Sequence, residues 1–80
     1  MANFEDMLTL DQCASYLGDL SRSGEAYSER RVDACVDGYL IGFSAETAKR
    51  RKELAEAFSE KAPVSELSER MRKRILREDS

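Results

Sequence analysis

The 80-residue chain contains no histidine and no tryptophan, a single proline, four glycines and two cysteines. Without histidine there is no imidazole acid–base chemistry, no histidine metal ligand and no Ser-His or Cys-His dyad. Two cysteines alone leave a tetrahedral zinc set half empty, so neither a metal nor any other cofactor is expected. No stretch approaches the ~20 apolar residues that a membrane helix needs, and no membrane partner is expected. The opening Met1-Ala2-Asn3-Phe4-Glu5-Asp6 has neither the basic start nor the apolar core of a signal peptide. The expected compartment is therefore the cytoplasm, or the periplasm if Met1 is not the natural start and the cysteines are bridged. A glycine-rich phosphate loop is missing too, because Gly38-x-x-x-Gly42 falls inside a predicted helix instead of between a strand and a helix.

What is present suits one small helical domain over residues 1–80. Apolar residues make up 41% and charged residues 36%, the balance of a folded, helix-rich globule. The net charge of −3 hides a gradient. Residues 1–46 hold nine acids and three bases, a net of −6, and residues 47–80 hold seven acids and ten bases, a net of +3. Either the basic end meets an anionic partner, or the two halves attract each other in the folded chain.

Four helical stretches stand out. Thr9-Leu10-Asp11-Gln12 reads as a capping box, followed by Leu10, Cys13, Leu17 and Leu20 on one face; this predicts a helix over 10–20, broken by Ser21-Arg22-Ser23-Gly24. A second helix is predicted over 28–43, with Val32, Cys35, Val36, Tyr39, Leu40 and Phe43 on one side. Its run Tyr39–Phe43 is apolar almost all round, which makes it the central helix. A third is predicted over 45–61 behind a Ser44 cap, with Ala48, Leu54, Ala55 and Phe58 as its thin apolar face and Lys49–Glu53 and Lys52–Glu56 as supporting pairs. Pro63 ends it. The fourth, over 65–77, carries Leu67, Met71 and Ile75, and the short connection makes it an antiparallel neighbour of the third. The expected fold is all-α, a small bundle of three to four helices built on an N-terminal antiparallel hairpin.

The cysteines are placed symmetrically in that hairpin. Their midpoint is Gly24, in the middle of the predicted turn, and both lie on apolar faces. Cys13 and Cys35 should come close. They then serve either as two free buried thiols in a reducing compartment or as a disulfide worth roughly 3 kcal/mol. The one-cysteine helix followed by Cys35-Val36-Asp37-Gly38-Tyr39-Leu40-Ile41-Gly42 resembles the cysteine-then-Gly-Tyr segment of small periplasmic immunity proteins. Those proteins protect bacteria against the effectors of their own type VI secretion systems. The resemblance covers residues 10–43. It departs from the family pattern in lacking a leader, in an extra residue between cysteine and Gly-Tyr, and in having no further cysteine downstream. It implies an envelope immunity protein that neutralises a secreted effector, a role that goes with a Cys13–Cys35 disulfide.

Three surfaces are candidates for contact. Ala34, Gly38 and Gly42 form a small-residue strip suited to close helix packing, within the chain or against a partner. Arg70, Lys73, Arg74 and Arg77 make a basic stripe on the fourth helix, suited to a protein or to a phosphate backbone, although Glu66–Arg70 and Glu69–Lys73 discount its charge. Glu29, Asp33 and Asp37 form an acidic stripe that a basic partner, or the fourth helix of a second copy, could meet. The turn Ser21–Tyr27 adds Arg22 and Tyr27, residue types common at binding hot spots. No enzyme is expected, since the carboxylates fall on predicted solvent-facing stripes and the core is too small to enclose a substrate pocket. The expected function is stoichiometric binding of another protein or of a second copy, as an adaptor, inhibitor or antitoxin-like regulator. A nucleic-acid-binding regulator and an envelope immunity protein are the alternatives.

Overall fold

The computed structural model describes residues 8–23, 29–43 and 47–77. It consists there of four helices, α1 (Leu10–Ser23), α2 (Glu29–Leu40), α3 (Thr47–Lys61) and α4 (Glu66–Leu76), with no strand among the described residues. The small all-α bundle expected from the hydrophobic periodicity is the fold observed.

Several helix ends have a local cause. At α1 the capping box closes in both directions: the Thr9 N–H donates to Gln12 Oε1 at 3.0 Å and the Gln12 N–H to Thr9 Oγ1 at 3.1 Å. Two otherwise orphaned donors are satisfied reciprocally. At α4, Ser65 is the N-cap in extended backbone and accepts from the Ser68 N–H at 3.1 Å. Arg77 caps the other end in the left-handed region at φ 56°.

Two boundaries shift by three residues from the sequence expectation. Helix α1 does not break at Ser21 but continues through Ser23. Tertiary partners carry it on: the Ser21 and Ser68 hydroxyls lie 2.7 Å apart and Arg22 donates to the Lys61 carbonyl at 3.1 Å, while Ser23 closes the last turn locally onto the Leu20 carbonyl at 2.9 Å. Helix α2 ends at Leu40, not Phe43. Gly42 takes φ +84° and the Phe43 N–H donates back to the Leu40 carbonyl at 3.0 Å, which turns the chain away. The run Tyr39–Phe43 is therefore not a continuous central core: Tyr39 is buried, but Ile41 is 51% exposed. Helix α3 is described from Thr47, whose hydroxyl donates to the Phe43 carbonyl at 3.0 Å; the predicted start at 45 and its Ser44 cap lie outside the described residues.

The core is one cluster with contributions from every helix: Cys13, Ala14 and Leu17; Val32, Cys35, Val36 and Tyr39; Leu54, Ala55 and Phe58; Met71 and Ile75. Ala48, expected on the apolar face of α3, is exposed. Helices α1 and α2 run antiparallel with Cys13 level with Cys35. Helices α3 and α4 do the same about Pro63, since Arg51 reaches the Ile75 carbonyl at 3.2 Å. Between the hairpins, Lys61 pairs with Asp11 at 3.1 Å. Of the described glycines, Gly18 is the one against a neighbouring backbone: a Cβ there would sit 3.3 Å from both Cβ and the carbonyl oxygen of Lys61. No helix of the described residues is long and apolar enough to cross a membrane.

Candidate functional site

The hairpin register brings the two thiols together at the centre of the α1–α2 seam. Cys13 Sγ lies 2.6 Å from Cys35 Sγ and donates weakly to the Cys35 carbonyl at 3.4 Å. Both are free cysteines and both are buried, but not equally. Cys13 is 0% exposed and Cys35 6%. Hydrogen bonding to Cys35, reinforced by burial, pushes the Cys13 thiol above its ordinary range. The same hydrogen bond pulls the Cys35 thiol down, against the effect of its own burial. Either thiol can donate to the other, and burial disfavours the thiolate of both.

The acidic and basic stripes meet within the chain. Arg74 grips Asp33 with two bonds, Nε to Oδ1 at 3.2 Å and Nη2 to Oδ2 at 2.8 Å, and has Glu29 Oε2 at 3.7 Å. A two-pronged guanidinium–carboxylate contact is the strongest geometry that such a pair adopts. Asp37 faces Arg51 at 3.8 Å. Arg51 is 12% exposed, and burial followed by the nearby Arg77 lowers its pKa from the usual guanidinium value. Arg70, Lys73 and Arg77 stay on the exposed face of α4. On α3, Glu53 is met by Arg50 at 3.3 Å.

The small-residue strip is not one packing surface. Ala34 is exposed, Gly38 makes room for Leu8, whose Cδ1 would lie 3.2 Å from an added Cβ, and Gly42 stands beyond the helix end with nothing within 4 Å. Glycine at 42 answers a backbone requirement, and only Gly38 answers a contact. The close approach between helices belongs to Gly18, which the sequence reading passed over because it sits beside the Leu17 stripe without extending any periodic pattern. In the candidate turn, Arg22 is turned onto Lys61, and Tyr27 lies outside the described residues.

Leu8 seats against Gly38 between two shallow hollows on the α1–α2 face. One, of about 350 Å³, is lined by Leu8, Thr9, Leu10, Tyr39, Ile41, Phe43 and Arg50. The other, of about 390 Å³, is lined by Leu8, Gln12, Tyr16, Arg31, Ala34 and Cys35. Ile41 and Tyr16, at 51% and 43% exposure, stand at their rims, and Arg50 lies 4.5 Å over the Phe43 ring. This apolar surface was not foreseen. Its parts come from the residues before α1, from α1 and α2, from the turn after α2 and from Arg50 of α3, so no single helical period reveals it. Among the described residues, no three Cys, Asp or Glu side chains are gathered as a metal site would require. A scan against protein-family models and searches of curated proteins and of solved structures find no match to the chain.

Proposed function

We propose that this chain acts by one-to-one binding of another protein, as an inhibitor, adaptor or antitoxin-like regulator, with no turnover of its own. The observation that carries the reading is the apolar double hollow around Leu8, rimmed by the exposed Tyr16 and Ile41. Contiguous apolar surface, exposed here among the described residues, is characteristic of contact sites, and tyrosine is enriched at them. The partner suited to it presents an apolar protrusion. Self-association through Ile41 is the competing occupant, and the oligomeric state separates the two.

The basic stripe supports this reading less than it did as a linear pattern. Arg74 is occupied by Asp33 and Glu29, and a phosphate backbone laid on α4 would run beside the carboxylates of α2. Arg70, Lys73 and Arg77 remain as a secondary contact, for a protein before a nucleic acid.

The test is capture of the partner by tagged wild-type chain, followed by the same capture with Ile41→Arg, Tyr16→Ala and the pair Arg70→Glu/Arg77→Glu. Loss with the first two, at an unchanged helical spectrum and a monomeric sedimentation profile, is the expected result. Loss only with the α4 pair would move the contact to the basic face. A dimer abolished by Ile41→Arg would assign the hollows to a second copy.

A second reading, an envelope immunity protein, is supported by the touching thiols, since small exported domains use bridges where their cores are short. In that case the protein resides in the periplasm and its partner is a secreted effector. Reduced thiols in protein taken from its own cells would favour the cytoplasm instead. Alkylation of the protein taken directly from its own cells, before and after reduction, distinguishes them.

A further inference from the structure

We propose that Cys13 and Cys35 are a redox couple closed by thiol–disulfide exchange, in which Cys35, reached through the Tyr16–Ala34 hollow, reacts first and Cys13 resolves. The inference does not depend on which partner the chain binds.

Two observations carry it. The sulfurs already face each other at 2.6 Å, so closing to a bond of about 2.0 Å requires only a small shift of two side chains. The two thiols differ in access. Cys13 has no exposed surface, whereas Cys35 keeps 6% and is itself a lining residue of the hollow formed with Leu8, Gln12, Tyr16, Arg31 and Ala34. Of the two, Cys35 alone borders a surface hollow, so the approach of an external disulfide is from its side. The thiolate is the form that attacks, so the sulfur that the oxidant reaches is the one whose ionisation starts the exchange.

The oxidant is a disulfide of the glutathione class or of a dithiol oxidoreductase. Cys35 Sγ, as thiolate, attacks one sulfur of that disulfide; a mixed disulfide forms and one thiolate leaves. Cys13 then gives up its proton, its sulfur attacks Cys35 Sγ, and the second thiolate departs. The two protons end on the two released thiols. One cysteine pair loses two electrons, and the external disulfide gains them.

The experiment treats the folded chain with oxidised glutathione, then unfolds and alkylates it for peptide mass mapping. The expected product in wild type carries no adduct and no alkylatable thiol. Cys13→Ser should hold a stable glutathione adduct on Cys35, and Cys35→Ser should leave Cys13 free and alkylatable. Partial labelling of native wild type with a small alkylator, in which Cys35 is labelled first, gives the same order without a variant that must fold. Ala34→Leu, which narrows the hollow from an exposed helix position, should slow the exchange several-fold while leaving the reduced helical spectrum unchanged. Two free thiols in wild type under conditions that oxidise the unfolded chain would overturn the couple. Labelling of Cys13 ahead of Cys35, or an Ala34→Leu rate equal to wild type, would overturn the route.

Discussion

At the scale of the residue, the helix ends have identifiable single-residue causes. Thr9 caps α1 through one hydroxyl, and Thr9→Ala should lower stability by about 1 kcal/mol, read as a shift in the urea midpoint with unchanged slope. The glycines separate two causes that look alike in a sequence. Gly42 lies in open space at φ +84°, so Gly42→Val should cost roughly 1–2 kcal/mol through the backbone alone. Gly18 has ordinary helical backbone but sits against Lys61, so Gly18→Leu should cost about 1–3 kcal/mol through displaced packing between α1 and α3. A further substitution tells them apart. D-alanine at 42, introduced by synthesis, restores the turn, whereas at 18 it would disrupt the helix.

Between elements, two seams join the hairpins. Across α2 and α4, Arg74 holds Asp33 with both side chains still partly in water, which places the pair near the upper end of surface ion pairs. Asp33→Asn should cost about 1 kcal/mol at low salt and less at high salt, measured by thermal unfolding in two ionic strengths. Across α1 and α2, the thiol pair spans a loop long enough that its closure stabilises by about 3 kcal/mol in the chain-entropy model. Oxidised chain should therefore melt roughly 15 °C above reduced chain, a difference that vanishes in Cys13→Ser.

For the whole molecule, the charge gradient of the sequence is largely consumed by folding. The acidic stripe of α2 faces Arg74 and Arg51 of its own chain, which leaves Arg70, Lys73 and Arg77 as a narrower basic edge. Binding to duplex or single-stranded nucleic acid should accordingly be weak. If titrations at several salt concentrations instead give tight binding with a steep negative slope, α4 becomes a phosphate-binding face and the protein-binding proposal gives way.

Much of this molecule was decided locally. The capping box at Thr9, the Ser65 start of α4, the stop at Pro63 and the apolar spacing of Leu17, Val36, Phe58 and Ile75 rest on interactions within about one helical turn, and such patterns are written directly into a chain. Even the meeting of Cys13 and Cys35 followed from counting outward from a turn. Only tertiary structure decided the rest. Whether Ser21 ended a helix depended on Ser68, forty-seven positions away. Whether Arg74 faced a partner or its own chain depended on how α4 lay against α2. The apolar hollows are assembled from segments that share no period, around a leucine seated on Gly38. Local hydrogen bonds and side-chain spacing settle which residues are helical and which face is apolar. Which polar groups remain for a partner is settled only when the faces of different helices have chosen one another.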